Sequence, residues 1–260
     1  MTTMSNSSLV SYTKISPNKT SPRNHKIDTI TIHCVVGQCS VETLGEIFAP
    51  TSRKASSNYG IGSDGKIGMY VEEKDRSWCS SNSKNDNRAI TIEVASDTTH
   101  PYAVTKKAYK SLIDLLVDIC QRNGIKELKW QGDKSLIGQV DKQNMTVHRW
   151  FANKACPGDY LYERHGKIAA EVNARLGVVT KPVEEKPTKK VPYLVEVSID
   201  DLNIRKGPGT NYAKTGQYTG KGIFTIVKES KGSGSKAGWG KLKSGAGWIS
   251  LDFAKKVKGG

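Results

Sequence analysis

Residues 177–192, GVVTKPVEEKPTKKVP, cannot belong to a packed core. The stretch is rich in Pro, Lys and Glu and has nothing large to bury, so it reads as a semi-extended, solvated linker. It cuts the chain into a block over residues 1–176 and a second over 193–260. With 260 residues in all, the chain can form one large and one small domain, each with its own core.

The first block alternates strand and helix patterns. DTITIHCVV (28–36) sets Ile30 and Ile32 on one face and Thr29, Thr31 and His33 on the other. AITIEVAS (89–96) does the same, with Ile90, Ile92 and Val94 opposed to Thr91 and Glu93. NYGIGSDGKIGMYV (58–71) predicts a hairpin turning at Asp64-Gly65. SVETLGEIFA (40–49) predicts a helix capped by Ser40. Residues 105–123 predict a longer helix with Tyr109, Leu112, Leu116, Ile119 and Cys120 on one stripe and Gly124 closing it. A last helix is expected over roughly 159–176. Strands interleaved with helices indicate an α/β domain on a mixed sheet. The second block, with YLVEVSI, LNIRKGPG, GIFTIVKE, GWGKLKS and GWISLDFAKKV between Gly-, Pro- and Ser-containing turns, suggests a small all-β barrel.

Forty Lys and Arg against twenty-five Asp and Glu give a net charge of +15. That balance suggests an acidic partner: nucleic acid, an anionic membrane or an anionic cell wall. The lysines are spread along the chain, and no aromatic-basic signature of a single-strand binder is present, which argues against nucleic acid. No apolar run approaches the length of a membrane span. The start of the chain, MTTMSNSSLVSYTKISPNK, lacks an apolar signal core, so synthesis in the host cytoplasm is expected. Five cysteines in a chain of that kind are expected as thiols, not as a disulfide framework.

The stretch TVHRWFANKACPGDY (146–160) places His148, Lys154 and Cys156 close together. If the two Ile-rich strands share a sheet, His33 and Glu93 project from one side of it, and the His148–Cys156 loop need only fold over that side. Two imidazoles and a thiolate suit Zn²⁺, and three protein ligands leave a fourth position for water. Glu93 would then be the base, and Lys154 would stabilise an oxyanion. A strand-end His or a polar-face Glu is more often an ordinary packed or solvated residue, so spacing alone does not establish the site.

ITIHCVVGQ, SSNYGIGSDGKIGMYVEE, AITIEVAS and TVHRWFANKACPGDYL, in that order, resemble the zinc-dependent N-acetylmuramoyl-L-alanine amidases of the peptidoglycan-recognition-protein fold, of the phage-endolysin type. The resemblance implies cleavage of the amide between N-acetylmuramic acid and the first L-alanine of the peptide stem. It implies His33, His148 and Cys156 as ligands of Zn²⁺, Glu93 as general base and Lys154 as the charge-stabilising residue. Asn58 and Trp78 are expected to line the substrate cleft. Where some relatives carry a catalytic Tyr before the hairpin this chain has Ser57, so Tyr59 is expected only to pack. Where many carry a His after the Trp, this chain has Cys79.

LNIRKGPGTNY and GWGKLKSGAGWISLDF resemble a bacterial Src-homology-3-like domain, implying a module that binds Gram-positive cell wall. Tyr193, Asn203, Arg205, Tyr212, Trp239 and Trp248 are its candidate groove residues. Residues 181–260 carry sixteen basic and seven acidic side chains, which suits an anionic wall reached after release from the cell. Two other readings stay open: a cell-wall cysteine peptidase using Cys156 and His148, and a non-catalytic peptidoglycan-binding protein.

Overall fold

A computed structural model of the chain describes residues 6–178, 191–210 and 212–257. The chain forms two compact units, Met1–Thr180 and Lys181–Gly260. The expected linker, 177–192, falls for the most part outside the described residues.

The first unit runs β1 (Tyr12–Thr13), β2 (Lys19–Thr20), β3 (Thr29–Cys34), α1 (Val41–Phe48), β4 (Tyr59–Ile61), β5 (Ile67–Met69), β6 (Arg76–Ser77), α2 (Ser83–Arg88), β7 (Ala89–Val94), α3 (Lys106–Arg122), β8 (Met145–Thr146), α4 (Gly158–Tyr162) and α5 (His165–Arg175). Its central sheet has the order β1-β5-β4-β7-β3-β8. Strands β4, β7, β3 and β8 run parallel, and β5 returns antiparallel to β4 through the expected hairpin, where Gly65 has φ +88°. The sheet is thus mixed, as the alternating pattern predicts.

The isoleucines decide which face is apolar. Ile30, Ile32, Ile90 and Ile92 are fully buried against Leu112, Leu116, Ile119 and Cys120 of α3 and Ile168 and Val172 of α5. Cutting one such leucine or isoleucine to Ala costs about 2–5 kcal/mol. Thr105 caps α3 by accepting from the Ala108 N–H, and Ser40 caps α1 by accepting from Thr43.

The opposite face of the same strands is buried too, but polar. Thr31 meets Thr146 at 2.8 Å and accepts from Asn85 of α2. Thr91 is joined to Ser77 at 2.7 Å and to Asn58. Helix α2, SKNDNR, has no apolar stripe that could announce it. It is held by Asn82, which accepts from the Asn85 N–H, and by Asp86, which accepts from the Cys79 and Ser80 N–H groups.

The single helix expected over 159–176 is instead α4 and α5, broken at Glu163–Arg164. Side chains and a tightened turn share the carbonyls at that point. The Arg164 side chain donates to Tyr160 O and lies 3.8 Å over the Tyr160 ring, while His165 Nδ1 donates to Leu161 O. The Arg164 N–H bonds to Leu161 O, one residue short of the α-helical step.

The second unit contains β9 (Tyr193–Val197), β10 (Asn203–Arg205), β11 (Lys214–Tyr218), β12 (Gly222–Ser230), β13 (Trp239–Leu242), β14 (Trp248–Ser250) and β15 (Ala254–Lys256). They form one antiparallel sheet in the order β11-β10-β14-β13-β12-β9-β15. Val195, Val197, Ile204, Ile226, Leu242 and Ile249 make its own core. The unit is all-β as expected, but among the described residues β11 and β15 remain edges, so no closed barrel is formed. No described helix in either unit is long and apolar enough to cross a membrane.

Candidate active site

His33 and Glu93 are register partners at the carboxyl ends of β3 and β7, the end of a parallel sheet where open α/β folds gather ligands. Identical alternation in TITIHC and AITIEV sends both side chains to the polar face, where His33 Nδ1 and Glu93 Oε1 are 3.9 Å apart. Strand β8 pairs with β3 on its other side, Ile30 with Met145 and Thr31 with Thr146. That pairing delivers His148, two residues on, beside His33: their ring centroids are 5.1 Å apart.

The chain then turns back on itself. Phe151 and Ala152 N–H groups donate to His148 O, and Arg149 N–H donates to Cys156 O at 3.1 Å. This brings Cys156 Sγ to 3.3 Å from His33 Nδ1, where it also accepts from the Cys34 N–H at 3.4 Å. One ligand atom each from His33, His148 and Cys156 lies within 4.8 Å of the others. Donor atoms around one tetrahedral Zn²⁺ stand about 3.5 Å apart, so the residues fit such an ion. His33 Nε2 and Glu93 Oε2 are buried with no hydrogen-bond partner, a state that folds rarely leave uncompleted.

Electrostatics favour neutral imidazoles. Burial, reinforced by His148 and His165, pushes the His33 pKa well below its usual value. Burial and then the Lys154 charge lower that of His148. Neutral imidazole is the form that binds a metal. Burial, with Glu93 nearby, holds the Cys156 thiol well above the usual range; a bound cation would reverse this by stabilising the thiolate. Burial raises the Glu93 carboxyl to about 7, against a hydrogen bond from Cys79 and the Arg53 charge. Its side chain keeps 17% of its surface open.

His148 forms part of the wall of a cleft of about 520 Å³, with Arg53, Arg76, Trp78, Ser81 and Lys154. Lys154 and Trp78 both lie on this cleft wall. Asn58 is not. It is wholly buried and spends its amide on Val71, Glu72 and Asp75 carbonyls and the Thr91 N–H, leaving no surface for a substrate. Tyr59 packs, fully buried, with its hydroxyl on Glu73. Cys79 Sγ lies 3.8 Å from Glu93 Oε1, so the residue after Trp78 faces the carboxylate.

Sequence reasoning misses Arg53, Arg76 and Ser81 as cleft residues. They sit on a single 3₁₀ turn of helix, a two-residue strand and a bend, where no periodicity aims a side chain. Backbone strain gathers in the same place. The described non-glycine residues with positive φ are Val36, Lys54, Ser81 and Tyr102. Lys54 and Ser81 line the cleft, Val36 follows the His33 strand, and Tyr102 packs on Gly158 just beyond Cys156. Strain of this kind tends to persist at functional sites.

In the second unit, Trp239 is only 2% exposed, and its Nε1 donates to Ser233 O; it is a core residue, not a groove residue. Arg205 donates to the backbone Tyr212 O at 2.7 Å and is the register partner of Trp248 across the sheet, with Asn203 on the same strand. Tyr193 donates to Glu229 and lies under Lys256, whose Nζ is 4.6 Å from the ring centroid.

Residues 23–159, just over half of the chain, match the family model described as N-acetylmuramoyl-L-alanine amidase. No curated protein matches the sequence. Among solved structures, the chain is similar to PlyL at 15% identity, covering 62% of this chain and 95% of that one with a TM-score of 0.44. For an AmpD derivative the values are 19%, 61%, 93% and 0.44. For the endolysin amidase LysCS from Clostridium intestinale URNW they are 20%, 65%, 93% and 0.43. Likeness at that level is too slight to carry a reading of its own.

Proposed function

The chain belongs to the N-acetylmuramoyl-L-alanine amidase family, and from that premise we propose that it hydrolyses the amide between N-acetylmuramic acid and the first L-alanine of the peptidoglycan stem, with Zn²⁺ held by His33, His148 and Cys156. The observation that carries this reading is the convergence of three ligand atoms within 4.8 Å beside a buried carboxylate. A zinc ion there supplies a Lewis acid that polarises a carbonyl and acidifies water.

The chain's own residues supply the rest. Glu93, held beside the ligands by the register of β7 with β3, would take a proton from the attacking water. It then returns that proton to the leaving amine nitrogen. The Lys154 ammonium, on the cleft wall, faces the negative charge that develops on the carbonyl oxygen as the carbon becomes tetrahedral. Trp78, partly open on the same wall, offers an apolar face to the sugar or peptide. The Cys34 N–H stabilises negative charge on Cys156 Sγ.

The domain division follows from the same reading: residues 1–176 as the catalytic domain, 177–192 as the tether and 193–260 as a Src-homology-3-like cell-wall-binding domain. Arg205, Tyr212 and Trp248 are its best-placed contact residues. Purified Gram-positive peptidoglycan should release new free amino termini on alanine and no new reducing sugars, with one zinc bound per chain. Another bond cleaved, or an active metal-free protein, would overturn the reading.

A further inference from the structure

We propose that Ser81 is a positioning residue for His148, its hydroxyl fixing the imidazole so that Nδ1 is the nitrogen offered to the ion. The inference rests on the metal reading above. Ser81 Oγ lies 3.1 Å from His148 Nε2. A neutral imidazole carries one proton, and a proton on Nε2 shared with Oγ leaves the Nδ1 lone pair available. A ligating His is characteristically oriented through its other nitrogen, and losing that partner typically weakens metal binding 10–100-fold.

The backbone at Ser81 is the second observation. Its φ is +62°, a conformation that glycine and asparagine adopt far more readily than serine. The side chain is exposed, so packing does not account for serine there; the hydroxyl does.

The surrounding loop is built to hold this conformation. Cys79 and Ser80 N–H groups donate to Asp86, the Ser80 hydroxyl donates to Asn82 O, and Asn82 caps α2. Residues on both sides of Ser81 are thus pinned to one helix, and Oγ projects from a rigid turn toward the imidazole.

The test compares Ser81→Ala and Ser81→Gly in the full chain, because the two differ in the backbone and agree in lacking the hydroxyl. Zinc affinity is measured by competition with a chromophoric chelator, and thermal melting of the metal-free proteins is recorded alongside. Glycine relieves the positive-φ strain, so Ser81→Gly should melt at or above the wild-type temperature while Ser81→Ala does not gain. Both should bind zinc about tenfold or more weakly than wild type.

Wild-type affinity in both variants, or a loss in Ser81→Ala alone, would overturn the assignment while leaving the metal site intact. Wild-type protein that takes up no zinc would sink the metal reading, and this inference with it.

Discussion

His33 and Glu93 stand opposite one another on adjacent parallel strands, 3.9 Å apart at their closest polar atoms. The sheet's hydrogen-bond register fixes their separation. Neither depends on a loop for its position. The loop residues His148 and Cys156 complete the arrangement.

Removing Cys156 should therefore leave the sheet and remove the metal. Cys156→Ala is expected to lose bound zinc and fall to background turnover with its fold intact by circular dichroism. Chelation of the wild type should do the same, and added zinc should restore it. Activity that survives chelation but not Cys156→Ala would instead point to a thiol peptidase.

Glu93→Gln separates proton transfer from metal binding. It should keep zinc and substrate affinity and lose about 10²–10⁴ in kcat. Lys154→Met should lose about 10²–10³ in kcat with little change in KM, since its charge acts on the transition state. A pure KM effect in either variant would assign that residue to ground-state binding.

His165 is fully buried, and burial lowers its pKa to about 4 from an ordinary 6.5, with Arg149 adding to the shift against a hydrogen bond to Leu161 O. Between those values the unfolded chain binds the extra proton, so stability falls as pH drops from about 6.5 toward 4. The total is on the order of 3 kcal/mol. His33 and His148 contribute in the same direction. The difference between wild type and His165→Gln, followed by denaturant midpoint against pH, isolates the His165 share; parallel curves would refute it.

Each unit has its own apolar core. A chain ending at residue 176 should hydrolyse soluble muropeptides at the full-length rate but lyse whole walls poorly, having lost its local concentration on the polymer. Binding of residues 193–260 to walls should weaken with salt. Equal lysis by both proteins would remove the targeting role.

Most of the first domain is legible in sequence because periodicity reports burial. The alternation in TITIHC and AITIEV gives the face of His33 and Glu93, and the stripe of α3 gives the core. Legibility stops where polar networks replace apolar packing. Helix α2 stands on hydrogen bonds from Asn82 and Asp86, and Asn58 looks like a cleft residue until its four backbone partners are seen. Ser81 gives no signal in sequence, since its orientation comes from a turn in which Cys79 and Ser80 donate to Asp86, seven and six positions further along the chain. The same holds for Trp239, where a small sheet has the same aromatic residues for filling and for binding.

Because His33 and Cys156 are 123 positions apart, a shared ion would clasp the fold as well as serve it. Val147 and Trp150 are anchored by burial, with Trp150 stacked on Trp130, so it is the outer turn from Phe151 to Ala155 that would depend on those donors. Losing the ion would free that turn while the isoleucine layer stayed intact, giving a protein still folded but open to proteolytic nicking at one place.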